Sequence, residues 1–190
     1  MKRDVGKDMY EALSQKYGMS IEQAKANCRN IEQMAEDVKL DYRFDTLILT
    51  NTFDAHRLTM FAKKHGLMKE MTERLLHAYF TESKHIGDHQ TLSDLAAELG
   101  LDRGDVAAML AGDEMSELVR ADEQEAANLG IRSVPFFLIN KKYAITGAQP
   151  TDMFVQAMQK VIDQDGPFQV EDTINKGLSC DDDGCEIPKK

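Results

Sequence analysis

The chain has 190 residues, with 42% hydrophobic and 29% charged content, which is ordinary for a soluble globular protein of one domain or one domain with an insertion. A net charge of −10 makes nucleic acid and anionic membrane surfaces poor partners. No apolar run approaches the roughly 20 residues that a membrane span needs, and three cysteines are too few for a disulfide scaffold at this length.

The N-terminus has a basic start and no apolar stretch behind it, so no secretory signal is visible. Either a cytoplasmic home or a segment upstream of Met1 follows. Met9, Leu13 and Tyr17 predict a helix from Val5 to Tyr17, stopped by Gly18. Ser20 with Gln23 forms a capping-box pattern for a second helix. Its apolar face is Ile21, Ala24, Cys28, Ile31, Ala35 and Val38, so Cys28 reads as a buried, inert thiol.

Leu40–Leu49 is weakly patterned and reads as extended. Asn51 and Thr52 offer N-caps for a helix carrying Ala55, Leu58, Phe61 or Ala62, and His65, closed by Gly66. Met68, Met71, Leu75 and Tyr79 mark the next helix. Two short helices follow, one with Leu92, Leu95 and Leu99, the other capped by Asp102 with Val106, Met109 and Leu110. Asp113 or Glu114 starts a further helix that ends at Gly130. The methionines sit at helical spacing and read as core rather than as a ligand groove.

Val134-Pro135 opens an apolar run to Ile139, followed by a polar turn and a second short strand to Thr146. A strand accepts proline at its first residue, where no ladder donor is lost. A last helix is predicted from about Pro150, with Gln149 as its cap and Phe154, Met158, Val161 and Ile162 on its apolar face. Both hairpin strands are apolar throughout, as in strands covered on both faces, and so predict sheet neighbours that the rest of the chain hardly supplies. Residues after Gly166-Pro167 read as an acidic tail.

Three groups could carry chemistry. Cys180 and Cys185 form a Cys-x4-Cys with a glycine between them, a loop that can close as a disulfide where geometry allows. The three aspartates between them oppose a reactive thiolate. A reversible or structural disulfide ranks ahead of an idle tail, and metal comes third, because two thiols fall short of a structural zinc site. His56 and Asn51 stand at the start of a helix, where a hydrogen-bonded histidine and a simple cap compete with substrate contact. His85 and His89 are four apart, but Gly87 between them weakens a helix and no third ligand is evident, so no metal site is expected.

Asn51-Thr52-Phe53-Asp54-Ala55-His56, Gly130-Ile131-Arg132-Ser133-Val134-Pro135-Phe136-Phe137 and Ile145-Thr146-Gly147-Ala148-Gln149-Pro150 occur in this order. In these motifs the chain resembles the FrnE-type branch of the DsbA family, whose relatives include 2-hydroxychromene-2-carboxylate isomerases. The resemblance implies an α/β, thioredoxin-like fold with a helical insertion domain, mostly helical here and with a partial sheet. It implies a helical insertion over 1–129, the closing ββα unit over 130–165 and an acidic tail over 166–190. The family's Cys-x-x-Cys unit has no counterpart in this chain, which resembles the family from just after its second strand.

The resemblance further implies thiol–disulfide exchange on protein thiols and disulfides, without cofactor. Val134 and Pro135 would hold the substrate backbone, Asn51 and His56 would contact substrate, and Cys180 with Cys185 would form an auxiliary redox pair. The missing dithiol predicts an inactive or impaired chain. Two alternatives stand beside this reading. One is an interaction module that forms a homo-dimer through the exposed strand edge. The other is an isomerase that uses glutathione.

Overall fold

In the computed structural model, which describes residues 7–166 and the strand backbone at 180–181 and 184–185, helix α1 (Met9–Tyr17) starts later than its apolar spacing predicts. The reason is local. The Asp8 carboxylate accepts from the backbone N–H of Glu11 at 2.7 Å, which makes Asp8 the cap. Gly18, at φ +66°, supplies the left-handed stop.

Helix α2 (Ile21–Asp37) opens on the predicted capping box, with Ser20 and Gln23 bonding each other's backbone N–H at 3.2 and 2.9 Å. Ala24, Cys28 and Ala35 are buried, but Ile21, Ile31 and Val38 are exposed, so the packed seam is narrower than the apolar face. The stretch after α2 is not a strand. Phe44 and Leu47 turn inward onto Cys28, and Tyr42 stacks on Phe80 at 4.7 Å. The Phe44 N–H is satisfied by the Glu32 carboxylate at 3.0 Å.

Five helices follow: α3 (Phe53–Lys64), α4 (Met68–Phe80), α5 (His89–Glu98), α6 (Arg103–Ala111) and α7 (Ser116–Asn128). Asp88 and Asp102 cap α5 and α6 through the N–H groups of Thr91 and Asp105. Leu58, Met71, Leu92, Leu95, Val106, Met109 and Leu110 are sealed from solvent and form the main core. Each such side chain is worth about 1.5–3 kcal/mol of burial. The α3–α6 layer therefore holds this region together far more than the α1–α2 hairpin does, where Cys28 is the largest fully buried side chain.

One charged residue lies inside that core. Arg57 is 3% exposed. Its guanidinium donates to the carbonyls of Met109 (2.6 Å), Gly112 (2.8 Å) and Glu114 (2.9 Å), and to the Asp54 carboxylate (2.8 Å). The α6–α7 turn wraps this group, with buried Met115 at φ +67° closing it. The last carbonyls of α6, which have no partner within the helix, are thus satisfied from α3.

The chain divides into two compact units at Asn128/Leu129. In the second, β1 (Phe136–Ile139) pairs antiparallel with β2 (Tyr143–Thr146), Phe137 opposite Ile145 and Leu138 opposite Ala144. Asn140 and Lys141 both have positive φ, 52° and 53°, as a type I′ hairpin turn requires. The Val134–Pro135 peptide bond is cis. The Pro135 carbonyl accepts from Gly147 N–H at 2.9 Å, which extends the hairpin by one bond.

Helix α8 (Thr151–Asp165) packs Phe154 edge-on against Phe137 at 4.7 Å. Its cap differs from the prediction. Pro150 occupies the N-cap position, and Gln149 instead donates its amide to the Thr146 carbonyl at 2.9 Å, closing the β2–α8 turn. The face of the hairpin that carries Phe136, Leu138 and Ala144 points away from the Phe137 face that meets α8, and no third strand joins the hairpin among the described residues. Further on, β3 (Cys180–Asp181) pairs with β4 (Gly184–Cys185), and Cys180 stands opposite Cys185. The side chains of that short ladder lie outside the described residues.

Candidate functional site

The Asn51–His56 segment is held open by local chemistry. Asn51 does not cap α3 through the usual second or third helical N–H. Its side-chain oxygen accepts from Phe53 N–H at 2.9 Å, and Thr52 occupies the cap position without a side-chain bond. This short Asn turn presents Thr50–Asp54 along one wall of a cleft of about 490 Å³. The opposite wall is α7. There Arg120 lies over the Phe53 ring at 4.2 Å and pairs with Glu123 at 2.5 Å.

His56 lines this cleft. Its imidazole is exposed and, among the described residues, takes part in no hydrogen bond or ion pair. It also lines a second hollow alongside α3 and α4. One imidazole thus faces two cavities. Asp54, one turn before Arg57, accepts from Arg57 and meets His89 Nε2 at 2.8 Å. Burial raises its carboxyl pKa, but hydrogen bonds from His89 and Arg57 outweigh that and hold it below the usual value. Asp54 therefore stays ionised and acts as a fixed anchor of the α3 N-terminus.

Gly87 backs the same segment. A Cβ at that position would stand 2.1 Å from Thr50 Oγ1 and 3.2 Å from the Asn51 carbonyl. Only glycine lets the loop before α5 lie this close to the cleft wall.

The remaining candidates lie elsewhere. Val134 is 87% exposed at the head of β1, next to Pro135. Among the described residues neither its N–H nor its carbonyl takes part in a hydrogen bond. Cys28 is buried at 2% exposure, and desolvation, followed by the charge of Glu32, pushes its thiol pKa up. His89 begins α5 while His85 precedes it, so the pair does not share a helix face. No cluster of three or more metal-ligating side chains occurs among the described residues.

Thus Asn51 and His56 meet in one cleft, while Val134 and Pro135 belong to the other unit. Arg120 and Glu123 complete the cleft and carry no sequence signal, because the contact between Phe53 and Arg120 joins residues from different helices.

Comparison with known proteins decides the family. Residues 5–159 match the DSBA-like thioredoxin domain. The chain belongs to that family. It is similar to a structure described as a probable DsbA oxidoreductase from Streptomyces coelicolor, at 35% identity and a TM-score of 0.77. That similarity covers 96% of this chain and 77% of the other. A candidate protein disulfide isomerase from Nitrosomonas europaea, at 15% identity and a TM-score of 0.57 over 75% of this chain and 73% of its own, shares the fold. The uncharacterized protein YwbO of Bacillus subtilis is 30% identical over 131 residues. That stretch is 68% of this DsbA-like chain and 65% of YwbO's own length. Membership explains why a largely helical chain carries a proline-led hairpin followed by a helix. The family fold is thioredoxin-like, and this DsbA-like chain is, in its described residues, mostly helical, with eight helices, the β1–β2 hairpin and the short β3–β4 ladder.

Proposed function

We propose that this DsbA-like chain is built for thiol–disulfide exchange on protein thiols and disulfides, in the FrnE-like manner. As it stands it turns over slowly or not at all. The observation that carries the reading is the head of β1. An exposed Val134, its backbone groups unpaired among the described residues, precedes Pro135 on a strand with a single described neighbour, as a surface that accepts an extended peptide by strand addition must. Family membership and the resemblance to a probable DsbA oxidoreductase support the chemistry. In that exchange a thiolate attacks a substrate disulfide to form a mixed disulfide, and a second thiol resolves it.

None of the three cysteines lies in a Cys-x-x-Cys, which is why impaired turnover is proposed. Cys180 and Cys185 are the auxiliary pair. Residues directly opposite in an antiparallel ladder have Cα atoms about 4.5–5.5 Å apart, within the span that a disulfide bridges. Asn51 and His56 are assigned to substrate contact in their cleft.

An insulin-reduction assay tests the reading. The full chain is expected to precipitate insulin no faster than the chemical reductant alone. Robust turnover abolished by Cys180→Ser would show that the auxiliary pair suffices, and robust turnover that survives Cys180→Ser would overturn the assignment of roles.

A second reading is favoured by the same edge. β1 pairs only with β2 among the described residues, and its residues are apolar on both faces. Such an edge can pair with a second copy of the chain. A single monomeric species across a concentration series in sedimentation velocity would remove that reading.

A further inference from the structure

Met71, Met109 and Met115 are core residues, as their spacing predicts. Met60 and Met68 are not confined to that role. With Leu75 and Tyr79 they give an apolar lining to the second hollow, a groove of about 480 Å³ alongside α3 and α4. That volume is in the range of small-ligand sites. Methionine side chains adapt their shape to an irregular apolar body.

The charge in the lining is of one sign. Thr59 and Thr72 line the groove, and each spends its hydroxyl proton inside its own helix, on the Ala55 carbonyl at 3.1 Å and on the Met68 carbonyl at 2.8 Å. Only lone pairs are left to face a ligand. Asp122, on α7, is an acceptor as well. Among the described residues it takes part in no ion pair or hydrogen bond. The nearest cation on α7, Arg120, lines the other cleft and is paired with Glu123. His56 and the hydroxyls of Thr52 and Tyr79 can both donate and accept, whereas Asp122 is the one charged lining group among the described residues. The groove therefore fits an occupant with an apolar body, and the Asp122 carboxylate, with no lining cation to offset it, favours a positively charged donor head.

We propose that this groove binds a small cationic amphiphile, an aryl- or alkylammonium. Its hydrocarbon part lies among Met60, Met68, Leu75 and Tyr79, and its N–H donors meet Asp122 and the two threonine oxygens. The net charge of −10 adds a long-range preference of the same sign. This site is independent of the thiol–disulfide reading and needs no cysteine.

The test titrates phenethylamine, phenethyl alcohol and phenylacetate into the full chain while methionine methyl resonances are followed by NMR. The amine is expected to shift Met60 and Met68 saturably and to leave Met153 in the other unit unmoved. The alcohol should bind more weakly and the carboxylate least. Asp122→Asn, an exposed change, should lower amine affinity about 5-fold and leave the alcohol unaffected. Thr72→Trp, which fills the groove from its exposed side, should weaken all binding. No saturable shift at Met60 and Met68 would overturn the site. Equal binding of the three probes, or an unchanged amine affinity in Asp122→Asn, would overturn the cationic class.

Discussion

Replacing Arg57 by methionine keeps the apolar stem and removes the guanidinium. Three carbonyls, of Met109, Gly112 and Glu114, lose a donor at 2.6, 2.8 and 2.9 Å, and Asp54 loses one of its partners, at 2.8 Å, while keeping His89. The Arg57 side chain is 4% exposed and that of Asp54 12%, so solvent does not replace what is lost. At about 1 kcal/mol for each carbonyl bond, and with a half-buried carboxylate losing one of its hydrogen-bonded partners, Arg57→Met should cost about 3–5 kcal/mol. Domain stability is typically only about 5–15 kcal/mol. Urea denaturation followed by far-UV circular dichroism reads the loss as a lower midpoint at unchanged slope. Arg57→Lys keeps the charge but not the planar fork, and should recover little of it. A loss below about 1 kcal/mol, the range of an exposed pair, would refute the assignment of Arg57 as the clamp on the α6 terminus.

Gly87→Ala should destabilise by about 1–3 kcal/mol, because its Cβ would meet Thr50 Oγ1 at 2.1 Å; wild-type stability together with unshifted Thr50 and Asn51 amide resonances would count against it. Glu82 is held to a pKa of about 2, chiefly by its hydrogen bond from Lys84 and then by Arg74. Its folded pKa lies below the unfolded one, so its contribution is complete above the usual glutamate range and is lost as pH falls from about 4.3 toward 2. Glu82→Gln should flatten the fall in urea midpoint over that window, and an identical slope in the variant would contradict the assignment. Cys28 should react with iodoacetamide far more slowly in the native protein than in urea, since its thiol is buried and its pKa raised; rapid native labelling would show the α2 seam to be open.

Helix existence was legible because caps and apolar spacing are local. Ser20 with Gln23, Asp102 and Gly18 all act within four residues of the position they define. The hairpin was legible for the same reason, through Pro135 and the polar turn at Asn140-Lys141. What could not be read locally is what partners do. Ile31 and Val38 share a face with Cys28, yet only Cys28 finds cover. Gln149 sits where a cap is expected, but its amide finds the Thr146 carbonyl first. The cleft shows the same division. Asn51 and His56 stand in a recognisable motif, whereas Arg120 reaches Phe53 only through the packing of α7 on α3. Met60 and Met68 have core-like spacing and line a groove, because spacing reports which face a residue occupies and not how tightly that face is filled.

The Arg57 clamp also bears on the order of assembly. The end of α6 is fixed by a side chain more than fifty positions earlier in the chain, rather than by a residue of its own terminus. Segments of this kind acquire their boundaries late, since the loop between the two partners must close first. Until α3 docks, α6 can form its first turn on Asp102 but has no defined last turn. A fragment that begins after α3 would keep every helix-forming residue of α6 and still lack the group that tells it where to stop.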